Sequence, residues 1–166
     1  MIERVTGLTA ALFLAFAAIA VADDFTDMVE KGNRAFKEGD YKTALDYYHQ
    51  AEVERPETPE LHYNIGSALY GEQKYEEAEE KLQKSFAADD ILKEAAGHYN
   101  LGNVYYRMGD YQRAILSYQQ SLELNPDDMD AKYNLELARK MLKEQIKPEQ
   151  QQQQQQEQQD QQENQD

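Results

Sequence analysis

Apolar residues along this chain fall into three regimes. From Val5 to Ala22 eighteen consecutive positions lack a charge, from residue 23 to 147 apolar positions recur at helical spacing, and from Pro148 to Asp166 there are none. In the middle regime Ile65, Ala68 and Leu69 share one helix face. After a short polar break Tyr75, Ala78, Leu82 and Phe86 share another. This pattern predicts two short amphipathic helices joined by a tight turn, and the pair recurs. Gly32-Asn33-Arg34-Ala35-Phe36, then Gly39-Asp40-Tyr41-Lys42-Thr43-Ala44-Leu45, returns as Asn64-Ile65-Gly66-Ser67-Ala68-Leu69-Tyr70, then Lys74-Tyr75-Glu76-Glu77-Ala78. It returns again as Asn100-Leu101-Gly102-Asn103-Val104-Tyr105-Tyr106, then Gly109-Asp110-Tyr111-Gln112-Arg113-Ala114-Ile115. The interval from Gly32 to Gly66 is 34 residues and from Gly66 to Gly102 it is 36. A fixed period of this length predicts stacked units rather than one closed core.

The punctuation agrees with the pattern. Gly39 and Gly109 can take the left-handed conformation that closes a helix, and Pro56 and Pro126 mark the exits from second helices. Small residues, Gly32, Gly66 and Gly102 on first helices and Ala44, Ala78 and Ala114 on second ones, are expected to let the paired backbones approach. Lys132-Tyr133-Asn134-Leu135 repeats Tyr99-Asn100-Leu101 at a spacing of 34, without a second helix after it. The expectation is a capping helix over 129–146, its outer face charged by Glu136, Arg139, Lys140 and Lys143.

These residues resemble the tetratricopeptide repeat. The family's small residues fall on Gly32, Gly66, Gly102 and on Ala44, Ala78, Ala114, its aromatic on Tyr48 and Tyr118, and its proline on Pro56 and Pro126. The resemblance implies an all-α, right-handed superhelix of three helix-turn-helix repeats plus the C-terminal capping helix. Its units are placed at Phe25–Thr58, Pro59–Leu92 and Ala95–Asp128, with Lys93-Glu94 inserted. Met28, His62 and His98 stand where the family has tryptophan. The second unit has Leu82 for the aromatic, no closing proline and no glycine at its helix turn. More narrowly, Asp130-Ala131-Lys132-Tyr133-Asn134-Leu135-Glu136-Leu137-Ala138 running into a glutamine tract resembles the end of tetratricopeptide proteins of Bat aerotolerance operons. That resemblance implies a bacterial envelope complex, stress tolerance, and a membrane-bound von Willebrand A domain protein as partner.

The chain ends modify this picture. A short polar start, the uncharged stretch and Ala20-Val21-Ala22 describe a secretory signal peptide over 1–22, cut after Ala22, with an uncleaved anchor as the rival reading. Either way the remainder is exported, periplasmic or at the inner membrane facing the periplasm, and meets a membrane only through the leader or a partner. Residues 148–166 hold 12 Gln and five acids and are expected to form a disordered, solvating tail, or at best a fraying extension of the preceding helix, with Pro148 as the helix stop. The repeat domain is then 23–147. Seventeen basic residues against 32 acids give a net charge of −15, which excludes electrostatic capture of nucleic acid. With no cysteine there is no disulfide and no thiolate chemistry.

No catalytic constellation is legible. Of three histidines, His62 and His98 occupy equivalent positions facing a partner helix, which fits packing better than metal ligation, and His49 stands on a second helix. Gly32, Gly66 and Gly102 lie inside predicted helices, not between a strand and a helix, so no phosphate loop is expected. The expectation is a non-enzyme without metal or cofactor. What remains is the concave groove, lined in the family by fixed first-helix positions. Here those positions carry Asn33, Phe36, Tyr63, Asn64, Tyr70, Tyr99, Asn100, Asn103, Tyr106, Tyr133 and Asn134. Asparagine amides can pair with the main chain of an extended peptide, and tyrosines supply apolar area with a polar tip. The family's clamp for acidic chaperone C-termini is matched at Asn33 and Asn64, but its bases are replaced by Val29, Ala96 and Asn100. Glu30, Glu60 and Asp130 mix with Lys37, Arg107 and Lys140, so the expected ligand is uncharged or mildly basic. Two roles fit: an adaptor in an envelope complex, or a periplasmic chaperone or assembly factor holding extended clients.

Overall fold

The computed structural model describes residues 24–87 and 90–163; the expected leader lies outside the described residues. Among the described residues seven α-helices follow one another: α1 (24–37), α2 (Tyr41–Glu54), α3 (Pro59–Gly71), α4 (Tyr75–Lys84), α5 (Ile91–Met108), α6 (Tyr111–Leu124) and α7 (Met129–Glu163). A single 3-10 turn, Ser85–Ala87, extends α4. Among the described residues there is no strand, and no helix is long and apolar enough to cross a membrane. The helices pair as α1 with α2, α3 with α4 and α5 with α6, and α7 closes the stack, as the period predicts.

Five of the helix starts have a local reason. The Asp40, Asp90 and Asp110 carboxylates cap α2, α5 and α6 by accepting from the amides of Thr43, Leu92 with Lys93, and Arg113. Asp128 does the same for α7 through Ala131 N–H at 2.9 Å, and Pro59 opens α3 at a position where its missing N–H costs nothing. First helices end alike. Gly39 and Gly109 sit at φ 79° and 78°, and the second unit, lacking that glycine, forces Gln73 to φ 61°. The hydrogen bonds are the same in all three: Gly39, Gln73 and Gly109 donate to Phe36, Tyr70 and Tyr106, and the next amide donates to Ala35, Leu69 and Tyr105.

Inside the first and third units the glycines have a different purpose from the one expected. A Cβ on Gly32 would stand 2.4 Å from Tyr48 Cε1, one on Gly102 2.5 Å from Tyr118 Cε1, and one on Gly66 2.7 Å from Leu82 Cγ. Gly32 and Gly102 make room for one large side chain from the second helix, whereas at Gly66 the Leu82 backbone nitrogen also comes within 3.2 Å of the added Cβ, the close backbone approach that was expected. Ala44, Ala78 and Ala114 are fully buried, and Tyr48, Leu82 and Tyr118 nearly so. Ala131, Leu135 and Ala138 of α7 are also buried, which seals the last unit.

Two boundaries differ from the sequence reading. Ile91 and Leu92, assigned there to the end of the second unit, form the first turn of α5 together with Lys93 and Glu94. The inserted pair therefore lengthens a helix by a turn instead of looping out, because Asp90 supplies the cap one turn early. Secondly, α7 does not stop at Pro148 but runs to Glu163 with the proline inside it. A proline removes one backbone donor, and the glutamines that follow are good helix formers.

Candidate peptide-binding groove

The expected groove residues all lie on α1, α3, α5 and α7, the first helices of successive units. The structure joins most of the asparagines to one another before any ligand arrives. Asn64 Nδ2 donates to Asn33 Oδ1 at 3.4 Å, Asn100 Nδ2 to Ser67 Oγ at 3.0 Å, and Asn134 Nδ2 to Asn103 Oδ1 at 3.1 Å. Each bond runs from one unit back to the one before, so the row is a ladder that fixes neighbouring units. Asn134 Nδ2 also donates to the Tyr99 hydroxyl at 3.1 Å.

Buried phenols complete the ladder. Tyr48 donates to Asn33 Oδ1 and Tyr118 to Asn103 Oδ1, each at 2.8 Å. Burial pushes the Tyr48 phenol up to about 12 and raises that of Tyr118 further. In the second unit Leu82 has no hydroxyl to satisfy. There Ser67 replaces asparagine and donates to its own helix at Tyr63 O, 2.8 Å away. What the ladder leaves to a ligand is one amide oxygen each on Asn64, Asn100 and Asn134, none of which has a partner among the described residues.

Two chambers open on this surface and share Tyr63 and Asn64. One, about 370 Å³, is lined by Asn33, Phe36, Lys37, Tyr48, Tyr63, Asn64, Ser67, Tyr70 and Asn100, which brings together six of the expected residues. The other, about 390 Å³, is bounded by Pro59, Glu60, Tyr63, Asn64, Ser85, Leu92, Lys93 and Ala96. Of the remaining expected residues, Tyr99, Asn103 and Asn134 belong to the ladder, Tyr106 packs edge-on to Tyr111 at 5.4 Å, and Tyr133 is 69% exposed on α7. Phe36 with Tyr41 repeats that edge contact in the first unit, and Tyr70 with Tyr75 makes a tilted one at 5.9 Å in the second. The second chamber escaped sequence reasoning because Leu92 and Lys93 reach it only through the additional turn of α5.

Electrostatics divide the two chambers. Lys93 and Glu60 pair at 2.9 Å, their hydrogen bond raising the ammonium and lowering the carboxyl. Lys37 has no acid partner among the described residues. The Arg107 guanidinium is raised by a hydrogen bond with the Tyr75 phenol and by Tyr70 nearby. Val29, Ala96 and Asn100 leave the positions of the chaperone-tail clamp without bases.

The histidines lie away from the groove's chambers. His62 is buried, with both ring nitrogens unpartnered and Nδ1 3.6 Å from Glu52 Oε1; His98 stacks on Phe86 at 4.2 Å. Burial lowers both imidazoles, and Lys81 adds to the effect at His62. Among the described residues no three His, Asp or Glu side chains come together to hold a metal.

Comparison with known proteins agrees with this architecture. Tetratricopeptide-repeat family models match residues 29–90 and 95–128, and the chain belongs to that repeat family. RNA polymerase II-associated protein 3 of Mus musculus is 29% identical over 102 residues, 61% of this chain but 15% of that protein, so the chain spans a small part of such relatives. Serine/threonine-protein phosphatase T of Trypanosoma brucei brucei is 27% identical over 126 residues, 75% of this chain and 26% of its own, so some relatives join such repeats to an enzyme. The first tetratricopeptide domain of Spaghetti (RPAP3), solved with the HSP90 peptide SRMEEVD, superposes with TM-score 0.67 at 26% identity, over 72% of this chain and 94% of that one. The first such domain of human RPAP3 gives 0.66 at 26% identity, over 72% and 93%.

Proposed function

We propose that the protein is a non-catalytic interaction scaffold that holds a peptide or helix of a protein partner in the groove of α1, α3 and α5. The observation that carries this is the pair of adjoining chambers walled by Phe36, Tyr63, Tyr70 and Leu92, with amide oxygens of Asn64 and Asn100 open to incoming N–H groups. A related domain solved with a bound peptide supports the same use of the fold. The setting we propose is the bacterial envelope. The leader over 1–22 exports the chain, the Gln-rich segment extends from the scaffold, and a membrane-bound von Willebrand A domain protein of an aerotolerance complex is the partner. This setting rests on the sequence resemblance alone.

The test is recovery of partners from detergent-solubilised membranes by the intact protein, its Tyr63→Asp variant and a Leu116→Asp control placed outside the groove. Tyr63→Asp should lose the partner and Leu116→Asp should keep it. Equal recovery by both removes the groove from the interaction. A single stoichiometric partner identifies an adaptor, whereas many weakly held extended clients identify a chaperone.

A further inference from the structure

We infer that the additional turn of α5 adds an anchor chamber to the groove, and that the two chambers select a peptide pairing an apolar side chain with a nearby carboxylate side chain. The inference deepens the scaffold reading and rests on it. It begins with the insertion that separates the second and third units. Asp90 caps α5 early, so Ile91 to Glu94 wind as helix, and Leu92 and Lys93 lean over the start of α3. Lys93 then reaches Glu60 across the gap. That ion pair satisfies both charges on the rim, and what faces inward is Pro59, Tyr63, Leu92 and Ala96. Leu92 is 59% exposed beside this space. A chamber of about 390 Å³ with neutralised charges and apolar walls excludes a charged side chain, whose desolvation nothing there would offset, and takes an aliphatic or aromatic one.

The adjoining chamber has the opposite need. In a chain with 32 acids its lining contains no acid at all, while Lys37 stands in it without an acid partner. Arg107 lies near Tyr70, one of the lining residues. Charge complementarity therefore assigns a carboxylate to this side, with Lys37 as its base, while Asn100 in the same lining and Ala96 in the adjoining one carry no charge. Tyr63 and Asn64 form the wall between the chambers. A peptide crossing that wall can donate a backbone N–H to Asn64 Oδ1 while its apolar and acidic side chains drop to either side. This differs from the expectation, drawn from the groove as a whole, of an uncharged or mildly basic ligand. Acids and bases mix over the groove as a whole, yet one chamber pairs its acid with a base while the lining of the other holds a base alone.

The experiment pans phage-displayed random nonapeptides on the full chain, on Leu92→Ser and on Lys37→Gln, with circular dichroism and melting temperature showing that the variants fold. Wild type should enrich Leu, Met or Phe at one position and Asp or Glu at a fixed short separation. Leu92→Ser should lose the apolar preference alone and Lys37→Gln the acidic one alone. An enriched peptide made synthetically should bind each variant about tenfold more weakly by fluorescence anisotropy. Enrichment of Lys or Arg, or a pattern that both variants keep, overturns the two-chamber inference and leaves the groove reading standing provided Tyr63→Asp still abolishes binding. No enrichment, or peptides indifferent to Tyr63→Asp, overturns both.

Discussion

The second unit and its two neighbours reach the same shape with different side chains. In the first and third units a glycine admits a tyrosine ring, and the tyrosine hydroxyl finds an asparagine. In the second a glycine admits a leucine, and the asparagine is replaced by a serine that satisfies itself. Two positions fifteen residues apart have thus exchanged together: Asn33 with Tyr48, Asn103 with Tyr118, Ser67 with Leu82. The lesson is that the buried hydroxyl and the amide are one feature. A phenol in that slot without an acceptor leaves a buried polar group unpaired, at about 1–3 kcal/mol.

The sharpest way to break the comparison is Leu82→Tyr. It overfills the slot and buries a hydroxyl beside Ser67, so a loss of about 3 kcal/mol in urea unfolding is expected. Adding Ser67→Asn should recover about 1 kcal/mol, because the new amide accepts from the new phenol. A double mutant no more stable than the single one would show that the positions are independent. Next in size, Tyr118→Phe should cost about 1 kcal/mol, since Asn103 Oδ1 keeps only its Asn134 donor. Leu82→Phe in the second unit removes no hydrogen bond and should report packing alone. Smaller again, Gln73→Gly should stabilise the chain by about 0.5 kcal/mol, as relief of the left-handed backbone outweighs the added chain entropy. The equivalent change in the reverse direction, Gly109→Gln, should destabilise it.

The smallest expected effect concerns pH. Met28 occupies in the first unit the place that His62 and His98 hold in the other two. Burial lowers both imidazoles in the folded chain, so protons favour the unfolded state. The stability these neutral rings contribute is complete above the unfolded value of about 6.5 and declines as pH falls through it toward the folded values. Melting temperatures between pH 7 and 5 should therefore fall for the wild type. In a His62→Met, His98→Met chain the curve should flatten until the carboxylates titrate; an unchanged slope assigns the effect to other groups.

The helices, the unit period and the capping helix were legible because they depend on spacing within one helix and on glycine, proline and small residues at turns. The asparagine row was legible as a surface pattern but not as a ladder. Its bonds join Asn33 to Asn64 and Asn103 to Asn134 across 31 residues, a distance fixed by how units stack and not by any local preference. Likewise Lys93-Glu94 looked like an insertion between units. Whether such a pair loops out or winds into helix is decided by the Asp90 cap and by Lys93 reaching Glu60, one local and one distant contact. Pro148 misled for the opposite reason: the lost hydrogen bond and the ring's crowding of the carbonyl one turn back disfavour an interior proline, yet the helix runs through it to Glu163.

The tyrosines that close the ladder also give the molecule an optical signal. The chain has twelve tyrosines and no tryptophan. Exposed phenols ionise near pH 10, whereas Tyr48 holds its proton to about 12 and Tyr118 beyond that, so both rings stay dark at the phenolate wavelength while the stack is closed. Their raised values make folding stability complete below pH 10 and erode it as alkali carries the pH upward. Ultraviolet absorbance in an alkaline jump should therefore show an immediate rise from the surface rings and a delayed one from the first and third units. That delay times the opening of the stack in an unlabelled, unaltered protein.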